Sequence, residues 1–200
     1  MPINFDWFDL TPFANPYFVE TGFFQGEGAM KALASGLFQK VISIEVNKEL
    51  VARAQERFRL PLAAGLLKVV HDDSVHLFQH IQSLEEPCTF FLDAHGHWVQ
   101  EKMEEPHLPS ARKVTPSTFC PLLEELDAIA RHPWAKSHKI LIDDRRCLQR
   151  TWSHPTQSWW RSLDEEMVLE KLRTVNPDFH IRYIDGLTPE DIIAAVPADQ

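Results

Sequence analysis

The chain has 200 residues, 44% of them hydrophobic, with a formal net charge of −9. That length suits one domain, residues 1–200, with a full core. The acidic balance argues against nonspecific affinity for nucleic acid, and the basic pair Arg145-Arg146 reads as solvated surface.

Residues 1–16 are rich in aromatics, proline and asparagine and read as an irregular arm over the rest. A strand over 17–21 follows, then a glycine-bearing turn and a helix from about 27 to 38 with Met30, Leu33, Ala34 and Leu37 on its inner face. A second strand, 41–46, leads to a helix with Leu50, Val51, Ala54 and Phe58 on one side, broken by Pro61 and Gly65. Leu67-Lys68-Val69-Val70-His71 is the third strand, and Asp73 can cap the helix after it. The fourth strand ends at Asp93, and 94–117 reads as a long irregular loop. Phe119, Leu122, Leu123, Leu126, Ile129 and Ala130 mark an amphipathic helix with Pro121 in its first turn. The fifth strand ends at Asp143, and 145–160 forms a tryptophan-rich loop with Trp152, Trp159 and Trp160. A helix near 163–175, a strand over 179–184 and an antiparallel return over 191–196 complete the chain.

Four of the apolar runs close on an acid: Tyr17-Phe18-Val19-Glu20, Val41-Ile42-Ser43-Ile44-Glu45, Thr89-Phe90-Phe91-Leu92-Asp93 and Lys139-Ile140-Leu141-Ile142-Asp143. Strands alternating with helices predict an α/β fold with a mostly parallel sheet and helices on both faces. Such sheets bind ligands at their carboxyl edge. Carboxylates crowded there repel one another unless a cation, a metal or a donor-rich ligand offsets them. The expected ligand therefore carries positive charge or many hydroxyls.

The first turn, Glu20-Thr21-Gly22-Phe23-Phe24-Gln25-Gly26-Glu27-Gly28, spaces its glycines as G-x-x-x-G-x-G. It lacks a Walker lysine and departs from the usual dinucleotide turn. Glu45, about twenty residues further on, can accept both hydroxyls of a ribose, and Asp72-Asp73-Ser74 end the third strand where an adenine edge would lie. An adenosine without phosphates fits this layout. S-adenosylmethionine fits it well, with its cationic sulfonium and amino group. The bland alternative is an acid-rich rim with ordinary turn glycines.

The segments Val19 through Gly28, Ser43-Ile44-Glu45 and Asp72-Asp73-Ser74 resemble successive motifs of class I S-adenosylmethionine-dependent methyltransferases. Phe91-Leu92-Asp93-Ala94-His95, Pro121 through Leu126 and Ile140-Leu141-Ile142-Asp143-Asp144 are similar to a group of small methyltransferase-like proteins, so the likeness spans about residues 17–148. It implies a Rossmann-like, seven-stranded sheet with an antiparallel last strand. It also implies that Glu20, Gly22, Phe23, Gly26, Gly28, Glu45, Asp73, Ser74 and Asp93 line the cofactor.

Asp93, Asp143 and Asp144 follow neighbouring strands, and three carboxylates make a hard oxygen site for a divalent cation, Mg²⁺ first. The pattern is similar to catechol-type O-methyltransferases, which implies metal-assisted methylation of a small-molecule hydroxyl. In those enzymes a lysine stands three residues beyond the strand-four acid; here that position is Gly96. His95 is the candidate replacement base, with His97 behind it, while His71, His76 and His80 read as structural. Only about sixteen residues precede the first strand, so the site is expected to be open, covered by the loops 94–117 and 145–160, or closed by a second subunit of a homodimer. Cys88, Cys120 and Cys147 form no zinc pattern and are expected as reduced thiols. With no signal segment or membrane-length apolar stretch, the expectation is a soluble cytoplasmic protein. Two rivals remain: a metal-dependent Asp/His enzyme without methyl transfer, and a noncatalytic nucleoside-binding subunit.

Overall fold

The computed structural model describes residue 3 and residues 7–95, 120–149 and 162–198. His97, Phe119 and the tryptophans at 152, 159 and 160 lie outside the described residues, as does most of the two expected loops. Among the described residues no helix is long and apolar enough to cross a membrane.

Seven strands form one sheet: β1 (Tyr17–Thr21), β2 (Lys40–Glu45), β3 (Leu67–His71), β4 (Cys88–Leu92), β5 (Lys139–Ile142), β6 (Phe179–Ile184) and β7 (Ile192–Pro197). Their order is β3-β2-β1-β4-β5-β7-β6. The first five pair parallel, and β7 runs antiparallel to both β5 and β6. Helices α1 (Glu27–Ser35), α2 (Lys48–Arg57) and α3 (Arg59–Ala63) lie between the early strands. They are followed by α4 (Leu77–Ile81), α5 (Leu122–Ala130), the short α6 (Arg145–Leu148) and α7 (Glu165–Val175). The order of the strands reverses between the parallel neighbours β1 and β4, because β1 leads outward through β2 to β3 while β4 starts the other half.

Alternation along each strand builds two cores. Val19, Ile42, Phe90, Ile140 and Ile193 face α4, α5 and α7. Phe18, Val41, Phe91, Leu141 and Ala194 face Ala29, Ala32 and Ala54 of α1 and α2, with Phe8, Leu10 and Phe13 of the amino-terminal arm in the same cluster. The arm's polar anchor is Asn15, which donates from Nδ2 to the Cys88 and Ser137 carbonyls.

Below the sheet, two buried histidines join β4, β5 and α4. The Cys88 N–H donates to His138 Nδ1 at 2.9 Å, His138 Nε2 meets His132 Nδ1 at 3.0 Å, and His132 Nε2 meets the Ile81 carbonyl at 3.0 Å. An amide can only donate and a carbonyl can only accept, so the relay fixes both tautomers, each ring neutral with its proton on Nε2. Burial, then the neighbouring His132, pushes the His138 pKa down to about 3.

The expected inner face of the first helix is corrected. Met30, Ala34 and Leu37 are exposed, and the buried stripe is Gly28, Ala29 and Ala32. The helix sits too close to β1 for large side chains: a Cβ on Gly28 would collide with Glu20 Oε2. Gly36, in a left-handed conformation, ends it after Ser35. Pro61 does not break the second helix; the chain kinks at Phe58 and Pro61 sits inside α3. Pro121 is the residue before α5 rather than within its first turn, and 145–148 is helical rather than loop.

Candidate active site

The carboxyl ends of β1, β2, β4 and β5 share one rim, and the acids that close the four runs gather there. Backbone hydrogen bonds carry the ladder beyond the strands: Gly22 N–H to the Ile44 carbonyl at 2.9 Å, Asp93 N–H to Thr21 at 3.2 Å and Asp143 N–H to Leu92 at 3.1 Å. Gly22 has φ +82°, and a Cβ there would lie 2.7 Å from the Asp93 carbonyl oxygen. A side chain would therefore wedge the turn away from β4, and glycine lets the two strand ends close where the sheet reverses.

Glu20 is fully buried. Its Oε1 accepts from Ser43 Oγ at 2.8 Å. Its Oε2 faces the first turn of α1, where the Ala29 amide acts on it only weakly and, among the described residues, no hydrogen bond of full geometry forms. Burial first, then the charges of Asp93 and Glu45 beyond the Ser43 bond, raise the Glu20 pKa to about 8. Those couplings bring Glu20, Glu45 and Asp93 into one electrostatic neighbourhood.

Glu45, at the tip of β2, accepts from Phe24 N–H at 2.9 Å and from Asn47 N–H at 2.8 Å. It thus clamps the glycine turn to β2 and keeps lone pairs for a ligand. Burial raises its pKa despite those bonds. Phe23 is buried and packs edge-on against Phe58, so its side chain is spent on the core. Gly26 stands at the amino-terminal cap of α1 and Gly28 over Glu20. Asp73 caps the turn after β3 by accepting from Val75 N–H at 3.2 Å, and Ser74 is buried. Asp72 is held by His76 and His80 at 2.9 and 2.8 Å, the structural role expected of those histidines.

The β4–β5 end is built differently. His95 Nε2 lies 3.0 Å from Asp144 Oδ2 and 3.5 Å from Asp93 Oδ1. Burial alone would lower the His95 pKa, but the hydrogen bonds and charges of Asp144 and Asp93 outweigh it and lift it well above the usual imidazole range. The other Asp144 oxygen, Oδ1, meets Arg146 Nη2 at 2.6 Å. Burial would raise Asp144, yet His95 and Arg146 together hold its carboxyl below the usual range. Arg146 also pairs with the fully buried Asp191, both through Nη1 and through its backbone N–H. Asp143 accepts from Asp144 N–H at 2.8 Å and has its pKa driven up, by burial first and then by Asp93 and Asp144.

The expected ligand trio Asp93, Asp143 and Asp144 does converge on one end, but not as one donor set. Asp93 groups with His95 and Asp144, while Asp143 groups with Asp144 and Asp191. Both sets run through Asp144, whose two oxygens already hold a histidine and an arginine. The expected trio is therefore not one metal site, although the donor atoms of either set lie within 4.8 Å of one another, a spacing that could hold a metal ion.

Sequence reasoning passed over three groups. Arg146 is not a solvated residue but the hub of Asp144 and Asp191, and Arg145 stacks 3.8 Å from the Tyr183 ring and pairs with Glu165 at 3.1 Å. Asp191 precedes β7 and reaches the site only because that strand returns antiparallel beside β5. Glu125 lies on the buried stripe of α5, beside the Ser74 and Thr21 hydroxyls, and its Oε1 completes no hydrogen bond among the described residues. Burial raises its pKa to about 7. The signal was an acid at helical spacing between Leu122 and Ile129. Glu125, Asp93, His95, Cys120 and Asp143 line a small pocket at this end of the sheet. All three cysteines are free and buried, and burial raises every thiol pKa, so none is poised as a nucleophile.

A strand order of β3-β2-β1-β4-β5-β7-β6 with β7 antiparallel is the class I methyltransferase fold. Comparison with solved structures agrees. The SAH-bound (S-adenosylhomocysteine-bound) methyltransferase PaMTH1 of Podospora anserina aligns over 92% of this chain and 73% of its own, with TM-score 0.59 and 10% identity. An O-methyltransferase from Bacillus cereus in complex with SAH aligns over 94% and 76%, with TM-score 0.58 and 14% identity. A Streptococcus mutans protein solved with SAH aligns over 91% and 88%, with TM-score 0.54 and 13% identity. No protein-family model and no curated protein sequence matches the chain. At such identities the likeness establishes the fold, and the chemistry has to be argued from the site.

Proposed function

We propose that this chain is an S-adenosylmethionine-dependent methyltransferase acting on a hydroxyl of a small molecule. The observation that carries the reading is the trio Glu20, Glu45 and Asp93 at the reversal of strand order, with a buried Glu20 oxygen that completes no hydrogen bond among the described residues. Buried acceptors normally find donors. An ammonium at this rim would supply them.

S-adenosylmethionine, when bound, supplies a methyl group on a positively charged sulfur. Glu45 accepts the ribose hydroxyls while its backbone clamp keeps the carboxylate oriented. Glu20 and Asp93 take the ammonium, directly or through water. The backbone of Gly22, Gly26 and Gly28 shapes the turn around the methionine part, and Asp73 and Ser74 meet the adenine. His95 accepts the proton of the acceptor hydroxyl once it has lost its own. Its raised pKa makes that step faster as pH rises. Methyl transfer is an in-line displacement, so orientation supplies most of the acceleration. In the metal-assisted version implied by the family resemblance, Asp93, His95 and Asp144 would be the residues to hold a divalent cation, and no step here runs through a metal.

A thermal-shift panel tests the reading, because a ligand that binds the folded state raises its melting temperature. S-adenosylmethionine and SAH should both raise it, and nicotinamide dinucleotides should not. A shift with nicotinamide dinucleotides alone contradicts the reading. A cofactor shift with methyl transfer that persists after His95→Ala removes the role given to that residue.

A further inference from the structure

We propose that Arg146, with His95, is the built-in cation of this site, and that the protein excludes a divalent metal where catechol-type O-methyltransferases hold one. The inference rests on the methyltransferase reading for its consequence, that methyl transfer needs no metal, but its structural basis is independent. Asp144 stands in the place of the third metal ligand of that pattern, directly after Asp143. Its Oδ1 is 2.6 Å from Arg146 Nη2 and its Oδ2 is 3.0 Å from His95 Nε2. Asp191, the outer member of the second carboxylate set, binds the same guanidinium through Nη1 and receives the Arg146 N–H at 3.2 Å. One guanidinium therefore bonds two of the three members of that set, and in the other set His95, itself a member, bridges Asp93 and Asp144.

A planar guanidinium satisfies two carboxylates at once with fixed donor directions, which a hydrated metal would otherwise do. Asp144 has φ +59°, an uncommon left-handed conformation for a non-glycine residue, and it opens the short α6 that carries Arg146. The backbone turn that aims Asp144 at His95 thus also delivers Arg146 to its other side. Arg145 N–H donates to the Asp191 carbonyl at 2.8 Å, which pins α6 to the start of β7. Arg146 is a positioning residue: it fixes Asp144, and Asp144 fixes the imidazole.

The test is a direct Mn²⁺ titration of the full chain, followed by electron paramagnetic resonance, with calorimetric titration of S-adenosylmethionine in chelator on the same samples. The wild type should show no saturable Mn²⁺ binding below about 1 mM, the weak end of biological oxygen sites. Arg146→Ala should open the acidic cluster and gain saturable Mn²⁺ binding, and Arg146→Lys should keep it closed. Saturable Mn²⁺ binding by the wild type that Asp144→Asn abolishes overturns the proposal, as does a folded Arg146→Ala chain with no gain. The wild-type titration decides even where a variant fails to fold. Loss of S-adenosylmethionine binding with Mn²⁺ still excluded would instead sink the functional reading and leave the built-in cation standing.

Discussion

The two halves of the rim solve the same electrostatic problem in opposite ways. On the β1–β2 side, Glu20 and Glu45 are buried with only hydroxyl and amide donors, and burial drives both pKa values up. On the β4–β5–β7 side, Asp144 and Asp191 are buried against Arg146 and His95, and Asp144 stays below its usual pKa. In the first half the donors that meet the carboxyls are neutral, whereas in the second Asp144 and Asp191 have cationic partners while burial keeps Asp143 and Asp93 raised. A buried carboxyl met only by neutral donors invites a cation, whereas an ion-paired one becomes scaffold or machinery.

The largest effect should come from breaking the ion-paired half. Asp191→Ala removes one of the two carboxylates on the half-buried Arg146 guanidinium, which keeps Asp144, a loss of about 2–3 kcal/mol that for a domain of this size lowers Tm by roughly 4–12 °C. Calorimetric melting checks it, and an unchanged Tm would mean that the Arg146 cluster is not a structural unit. The half with neutral donors should respond in binding instead. Glu45→Ala removes two ribose hydrogen bonds, about 2–3 kcal/mol or roughly 30–150-fold in S-adenosylmethionine affinity by isothermal titration.

Glu20 sharpens the comparison through its pH dependence. Its folded pKa of about 8 lies above the ordinary 4.5. Between those values the unfolded chain ionises while the folded chain holds the proton, so Glu20 makes stability fall as pH rises through that window. Glu20→Gln should therefore melt higher than wild type near pH 7.5, with the gap closing toward pH 4.5, while cofactor affinity drops about tenfold for one lost charged contact. A variant that is less stable at both pH values would contradict the neutral-carboxyl assignment.

The smallest effect lies away from the rim. His138 has a folded pKa of about 3, below the ordinary 6.5. Its contribution is intact above pH 6.5 and is lost as pH falls toward 3, because the unfolded chain takes up the proton first. Over the first unit below 6.5 this amounts to about 1 kcal/mol. Urea titrations at pH 6.5 and 5.5 should show that slope in wild type and a flatter one in His138→Gln.

The contrast also explains what could be read in advance. Strands that end on acids are local patterns, and β1 through β5, the antiparallel return at β7 and the rim of Glu20, Glu45, Asp93 and Asp143 were legible from them. Asp191 and Arg146 were not, because their pairing spans 45 residues and exists only once β7 lies beside β5. The inner face of α1 was misread for a packing reason: large apolar residues at helical spacing signalled a core, while the close approach over Glu20 selects glycine and alanine. Glu125 was visible only as an acid in an apolar stripe, a pattern whose meaning depends on the Thr21 and Ser74 hydroxyls beside it.

Isothermal titration of S-adenosylmethionine into wild-type chain and Glu45→Ala, both in chelator, tests the central claim most directly. The account predicts saturable binding to the wild type without any divalent metal, weakened at least about tenfold by the substitution. Equal affinity in the two chains, or no binding to the wild type, would contradict it.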